Sequence, residues 1–409
     1  MSLRNHADKI IQSAIQAVLP DAAVQRALDG REFPGRVVLV AAGKAGWQMA
    51  KAAYDCLGDR IDSGVVVTKY DHVKGPIPGI VCMEAGHPVP DENSFRATKE
   101  ALCLVSDLTE KDTVLFLLSG GGSALFEDPL VTGEELQDIT KQLLACGADI
   151  VEINTIRKRL SNVKGGRFAQ HAAPAKVFTI VLSDILGDPL DMIASGPACP
   201  DSTTCQQAVA IVEKYKLRIS DDVRKLLSTE TPKELRNVET VINGSVRELC
   251  AAAAEICREL GYEPCVLTDQ LTCQAREAGA FLASIAKTYA GSGRKLAFLA
   301  GGETVVHLTG KGLGGRNQEL ALAAAAGIDG IDGAAVFSIG SDGTDGPTDA
   351  AGGYADSTTA EKLRSQGIDI FRVLQENDAY HALQKCDGLI ITGATGTNVN
   401  DVAVLLLEK

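Results

Sequence analysis

Five glycine-containing loops hold most of the residues in this chain whose types and spacing point to chemistry. They are Ala42-Gly43-Lys44-Ala45-Gly46, Ser119-Gly120-Gly121-Gly122-Ser123, Ser183-Asp184-Ile185-Leu186-Gly187-Asp188-Pro189, Gly310-Lys311-Gly312-Leu313-Gly314-Gly315-Arg316 and Ser341-Asp342-Gly343-Thr344-Asp345-Gly346. At least four of them follow a short apolar, β-branched run. Glycine at a strand end lets backbone N–H groups approach an anion with no Cβ in the way. A helix beginning nearby adds a field that favours negative charge. Between them the loops carry three cations (Lys44, Lys311, Arg316) and four carboxylates (Asp184, Asp188, Asp342, Asp345). That mixture suits a phosphorylated ligand and a metal ion.

Each loop admits a plainer reading. Lys44 stands between Gly43 and Gly46 but not in a Walker A loop, since no Ser or Thr follows it. It is either a phosphate or carboxylate ligand or a solvated turn lysine. Three consecutive glycines exceed what a turn requires, so Ser119–Ser123 reads as an anion-binding loop contributing backbone N–H groups and two hydroxyls. Asp184, Asp188 and Asp191 could hold Mg²⁺ through one or two oxygens, or take a proton from an alcohol; Asp188 beside Pro189 could instead cap a helix. Gly310-x-Gly312-x-x-Gly315 is a literal dinucleotide fingerprint, with Asp342 where a ribose-binding acid could stand. Arg316 directly after the last glycine and the late position in the chain speak against it. Asp342, Asp345 and Asp349 cluster without EF-hand spacing, and an Asx-turn cluster is the structural alternative.

The elements that must position these loops alternate. Strands are expected at 36–41, 64–68, 80–85, 113–118 and 176–182, with helices between them, which is the pattern of a parallel α/β sheet. A helix over 4–28, interrupted at Pro20, precedes the first strand. A looser charged stretch at 214–238 separates a second unit. It has strands at 238–242, 263–267, 295–299, 304–308, 334–339 and 388–392, and an apolar tail at 401–407. A chain of 409 residues exceeds one ordinary core, so two domains are expected, 1–237 and 238–409.

Composition removes several classes of function. The formal charge of −13 and the lack of a basic stripe exclude a nucleic-acid surface. No apolar run reaches the roughly 20 residues of a membrane span. The N-terminus lacks the apolar stretch and cleavage site of a signal peptide. The 11 cysteines include no C-x-x-C pair, and the 6 histidines form no H-x-H or H-x-x-x-H. A disulfide framework, a zinc site and a histidine metal site are therefore not expected, and the cytoplasm is the natural compartment.

Several longer strings resemble one family. Ser119-Gly-Gly-Gly-Ser-Ala-Leu125, Leu182-Ser-Asp-Ile-Leu-Gly-Asp188, Ile193-Ala-Ser-Gly-Pro197, Gly301-Gly-Glu-Thr304, Gly314-Gly-Arg-Asn-Gln-Glu319 and Gly343-Thr-Asp-Gly-Pro-Thr-Asp-Ala-Ala-Gly352 resemble the glycerate 2-kinases with a MOFRL-type C-terminal domain. The match runs in order from Lys44 to Asn400. The resemblance implies a Rossmann-like N-terminal domain, a second α/β domain and an active site in the interdomain cleft. It implies ATP- and Mg²⁺-dependent phosphorylation of D-glycerate at its 2-hydroxyl, giving 2-phosphoglycerate and ADP. Lys44 and Arg316 match the family's catalytic cations. Arg316 would offer its planar fork to the phosphoryl oxygens. Asp184 and Asp188 are the candidates for Mg²⁺ or for orienting the glycerate hydroxyl. The Ser119–Ser123 loop would take the substrate carboxylate or a phosphate, with Gly314, Gly315 and Asp345 completing the phosphate-binding set. Both cations lie on glycine loops, so replacing either is expected to leave thermal stability nearly unchanged. Some relatives are labelled hydroxypyruvate reductases, which leaves an NAD(P)H-dependent reductase as the alternative.

Overall fold

The computed structural model describes residues 2–408 and divides the chain into two compact units. One unit is Ala23–Asn243; the other joins the segment ending at Ala22 to the segment beginning at Gly244.

The unit Ala23–Asn243 is built on an all-parallel six-stranded sheet. In chain order its strands are β1 (Val37–Ala42), β2 (Ile61–Lys69), β3 (Ile80–Ala85), β4 (Thr113–Leu118), β5 (Lys176–Leu182) and β6 (Val238–Gly244). In space they run β3-β2-β1-β4-β5-β6, the doubly wound order in which β1 and β4 are neighbours. Side-chain alternation explains why such apolar strands form here. In β1, Val38, Val40 and Ala42 enter one buried cluster, while Val37, Leu39 and Ala41 enter the cluster on the opposite face. A strand covered on both faces needs no polar positions, so β1 and β4 are buried throughout. The connections leaving β1 and β4 diverge to opposite sides of the sheet. That opens a crevice at their carboxyl ends, which is where Lys44 and the glycine triplet follow.

The second unit carries a mixed six-stranded sheet. Its strands are β7 (Glu263–Leu271), β8 (Leu296–Gly302), β9 (Ala334–Gly340), β10 (Gly352–Asp356), β11 (Leu389–Ile390) and β12 (Asp401–Leu407). The spatial order is β11-β10-β9-β12-β8-β7. The apolar tail is β12, fully buried and antiparallel to both β8 and β9. Its first residue, Asp401, therefore pairs with Gly302 and Gly340, at the carboxyl ends of those two strands. The stretch 304–308, expected as a strand, forms only a single bridge from Val305 to Gln274. The run Gly352–Asp356, not foreseen, is a strand beside β9.

The observed units part from the 1–237 and 238–409 division at two places. The helix Leu3–Ala17 buries His6, Ala7, Ile10, Ile11, Ala14 and Ile15 and packs on β9 and the helix Val246–Glu259, so it belongs to the second unit. Arg4 bonds the carbonyls of Asp387 and Leu389, and Thr397 bonds that of Val18. The strand at 238–242, expected to open the second domain, is β6 of the first sheet, fixed by bonds between Asn243 and Arg26 and Ala23. A local pattern sets the presence of an apolar helix face or strand, while long-range contacts choose which core covers it.

Candidate active site

In the unit Ala23–Asn243, three neighbouring strand ends gather most of the expected residues. Ser119 follows β4, and its Oγ accepts the Ala45 N–H at 3.0 Å across the crevice; the Lys44 N–H bonds the Gly120 carbonyl at 2.9 Å. Gly43 is required at its position. Its φ is +125°, and a Cβ there would lie 2.2 Å from Ser119 Oγ. A Cβ on Gly120 would lie 2.2 Å from Asp184 Oδ2, and one on Gly121, at φ +87°, would meet His87 Nε2 at 3.1 Å and Lys44 Cγ at 3.2 Å. Lys44, His87, Asp184 and the glycine triplet thus share one small region. The glycines are needed because side chains from three other loops fill the space that their own would take.

Lys44 is exposed, and its ammonium makes no hydrogen bond or ion pair among the described residues. The N–H groups of Gly120, Gly121 and Ser123 likewise donate to no acceptor among the described residues. An unengaged cation beside unengaged N–H groups is a receptor for an anion. Ser119, by contrast, is buried and tied to the Lys44 turn, so its hydroxyl works as a brace rather than as the open ligand-binding group expected of it. The Ser123 carbonyl is fixed by two cations, Arg157 Nη2 at 3.0 Å and Lys164 Nζ at 2.9 Å. Lys164 is fully buried against Glu127, and burial lowers its ammonium to about 8.

His87 was not singled out in the sequence. Desolvation first, then the charges of Lys44, Lys69 and His72, hold its imidazole below the ordinary range. Removing one of those positive charges must favour the imidazolium. Lys44→Ala is therefore expected to move the His87 titration upward, read from its ring protons by NMR. An unchanged titration would show that the two side chains do not share surroundings.

Asp184 and Asp188 end in different environments. Asp184 is half-buried against Gly120. Asp188 has φ +52°, and its Oδ1 is buried with no hydrogen-bond partner. No helix starts at Pro189, so capping does not explain Asp188. Asp191 accepts from Lys158 at 3.2 Å and from Ser202 at 2.7 Å, a structural use. Among the described residues no group of three or more His, Cys, Asp or Glu side chains is arranged to hold a metal. Mg²⁺ commonly takes only one or two protein carboxylates and completes its octahedron with phosphate oxygens and water, and the orphaned Asp188 oxygen fits that donor set.

In the second unit, Arg316 opens the helix Arg316–Ile328. Its Nε and Nη2 donate to the two oxygens of Asp401 at 2.5 and 2.9 Å, and Nη1 lies 3.1 Å from Glu303. The fork expected to grip a phosphoryl group is thus already occupied by Asp401. Desolvation works against the guanidinium charge, and the bond to Asp401 more than offsets it, leaving the group held above its ordinary range. Asp401 and Glu303 were missed as partners because one begins the apolar tail and the other sits in a turn.

The structure contradicts an open, ligand-binding Asp345. It is 2% exposed, and its oxygens accept the Asn317 N–H at 3.1 Å and the Gln318 N–H at 2.9 Å. Asp345 therefore satisfies the amino end of the helix where a phosphate was expected. Gly315 is pressed against it, since a Cβ there would lie 2.3 Å from Asp345 Oδ1. Gly314 packs on Ala379. The fingerprint loop is equally committed. Gly310 N–H donates to Asn377 Oδ1, Gly312 N–H to the Glu376 carbonyl and Leu313 N–H to Asp378 Oδ1. A pyrophosphate needs those groups free, so the literal G-x-G-x-x-G is a packing motif here. Asp342 accepts from Thr344 N–H, an Asx turn.

Burial raises the Asp345 carboxyl to about 6, against the pull of the Gln318 and Asn317 N–H bonds. Its folded-state value lies above the unfolded one, so the folded protein binds the extra proton between about pH 4 and 6. That contribution to stability is full at low pH and lost as pH rises through about 6. The thermal stability of wild type relative to Asp345→Asn should accordingly decline between about pH 4.5 and 7. A difference that stays flat over that range would show that the carboxyl is not raised.

The doubly wound parallel sheet and the mixed sheet define the chain as a two-unit α/β protein, the first unit having its topological switch point between β1 and β4. Residues 6–228 match a domain of unknown function (DUF4147), and residues 296–401 match the MOFRL family. The sequence is similar to the D-glycerate 2-kinase of Thermotoga maritima, 53% identical over 99% of each chain. It is also similar to the glycerate 2-kinase of Pyrococcus horikoshii, 40% identical over 100% of this chain and 98% of that one. A putative hydroxypyruvate reductase of Agrobacterium vitis is 41% identical over 91% of this chain and 100% of its own. The crystal structure of the Thermotoga maritima glycerate kinase superposes with a TM-score of 0.94, covering 99% of each chain. The chain belongs to the glycerate 2-kinase family, with a DUF4147 N-terminal region and a MOFRL C-terminal region.

Proposed function

We propose that this protein is a D-glycerate 2-kinase that transfers the γ-phosphoryl group of ATP to the 2-hydroxyl of D-glycerate, with Mg²⁺. The observation that carries the reading is the set at the β1/β4 crevice: the unpartnered Lys44 ammonium beside the free N–H groups of Gly120, Gly121 and Ser123. Identity of 53% over the full length to a D-glycerate 2-kinase supplies the substrate class.

Phosphoryl transfer depends on positioning and charge neutralisation. The 2-hydroxyl oxygen bonds to the γ-phosphorus as the bond to the bridging β,γ-oxygen breaks, and ADP leaves with that electron pair. Lys44 neutralises oxygens of the moving group, and the free N–H groups hold a carboxylate or phosphate against the glycine triplet. Asp184 receives the hydroxyl proton. Arg316 is the second cation assigned to the transfer. Asp401 holds its Nε and Nη2, so Nη1, paired only with half-exposed Glu303, is the nitrogen left for a phosphoryl oxygen. Asp188, whose Oδ1 is buried without a hydrogen-bond partner, would hold Mg²⁺, which supplies charge neutralisation of the phosphates when bound. The chain has no helix long and apolar enough to cross a membrane among its described residues, and all 11 cysteines are free thiols, as suits a reducing compartment such as the cytoplasm.

The test is an assay with D-glycerate, ATP and Mg²⁺ coupled to enolase, with and without phosphoglycerate mutase. Signal without the mutase marks the 2-phosphate; signal only with it marks the 3-phosphate and refutes the regiochemistry. NAD(P)H is expected to remain unoxidised with hydroxypyruvate, because the fingerprint loop's N–H groups are engaged. Protein-dependent loss of its absorbance would overturn the kinase reading.

A further inference from the structure

The Ile193-Ala-Ser-Gly-Pro197 string has no part in the transfer just described, yet it is held at a backbone cost. Ala194, Ser195 and Gly196 have φ of 51°, 61° and 66°, three left-handed residues in a row, two of which carry a Cβ. Such conformations are unfavourable for a residue with a Cβ and persist where the surroundings enforce them. The Ser195 and Gly196 carbonyls accept N–H bonds from Gly165 and Gly166 at 3.0 and 2.7 Å. The result is that Ser195, fully buried, points its hydroxyl at the glycine loop. Ser195 Oγ lies 3.0 Å from Ser123 Oγ and 3.0 Å from Asn154 Oδ1.

The direction of this chain of hydrogen bonds follows from its far end. Asn154 Nδ2 faces Met192 Sδ at 3.5 Å. A thioether sulfur only accepts, so the amide nitrogen belongs on that side and the amide oxygen faces Ser195. An amide oxygen also only accepts, so the single Ser195 proton goes to Asn154. Ser195 Oγ must then accept the Ser123 proton. Ser123, half-buried beside the free N–H groups, therefore has no proton to give a ligand and presents lone pairs alone.

We propose that Ser123 is a specificity-determining residue that accepts a hydrogen bond from the non-reacting 3-hydroxyl of the hydroxy acid, with Ser195 and Asn154 fixing its direction. A carboxylate or phosphate oxygen is repelled by those lone pairs, so the anion is left to the backbone N–H groups and Lys44. The assignment rests on the kinase reading for the identity of the acid.

The experiment compares dissociation constants of D-glycerate and of D-lactate, in which hydrogen replaces the 3-hydroxyl, by calorimetry on wild type, Ser123→Ala, Ser195→Ala and the double variant. Wild type is expected to favour glycerate by roughly tenfold or more, since a site built for a hydroxyl rejects the analogue lacking it. In Ser123→Ala the preference should collapse toward one through weaker glycerate binding, with lactate unchanged. Ser195→Ala should lower the preference although Ser123 is intact, and the double variant should match Ser123→Ala. Equal weakening of both acids in Ser123→Ala assigns the hydroxyl to the anion and overturns the proposal, as does an unchanged preference in either single variant. Glycerate that fails to bind wild type overturns the kinase reading, and this assignment with it.

Discussion

Lys44→Ala is expected to lower kcat by roughly 100-fold or more while leaving the melting temperature where it is. Preorganised charge that meets the transferring group is typically worth a few kcal/mol in the transition state. The side chain is exposed and without a partner, so the fold loses nothing measurable when it is truncated. The backbone around it stays anchored through Gly120 and Ser119, independently of the ammonium. Steady-state kinetics in the enolase-coupled assay, with thermal melting alongside, decide the matter. A variant with near-normal kcat would remove Lys44 from the mechanism.

Arg316→Ala should lower kcat by a similar factor, but it will also destabilise the protein. The two cations, alike on their glycine loops, therefore differ in the stability cost expected of their removal. Asp401 is 5% exposed and has Arg316 as its bidentate partner, so truncation strands a buried carboxylate. The Arg316 side chain is about a third exposed, and water reaching the gap softens the loss to about 1–3 kcal/mol. Pairing Arg316→Ala with Asp401→Asn separates the two consequences. The double variant should regain part of the lost melting temperature with no recovery of kcat. Recovery of activity together with stability would show that Arg316 acts only as a structural partner.

The same pair shows why these outcomes differ. Lys44 and Arg316 are each a cation beside glycines at a strand end, and local sequence treats them alike. Their surroundings come from distant segments. Asp401 reaches Arg316 because β12 inserts antiparallel between β8 and β9, and Asp345 reaches the helix beginning at Arg316 from the loop after β9.

What the sequence determined by itself was local or periodic. The apolar runs Val37–Ala41 and Val114–Leu118 read as strands covered on both faces, and their alternation with helical patterns implies a parallel sheet. Consecutive glycines after such strands mark a close approach of backbone to something, and the longer strings carry the family. Tertiary structure decided what approaches. The Gly120–Gly121 space is shared with Asp184, His87 and Lys44, whereas the equally glycine-rich Gly310–Gly315 loop is filled by Glu376, Asp378 and Asp345. It also decided which core receives the helix Leu3–Ala17 and which sheet receives β6. Glycine removes a steric barrier without naming its occupant, and an apolar face must be buried without naming its partner. Those choices rest on contacts between residues far apart in the chain, which spacing along the sequence does not encode.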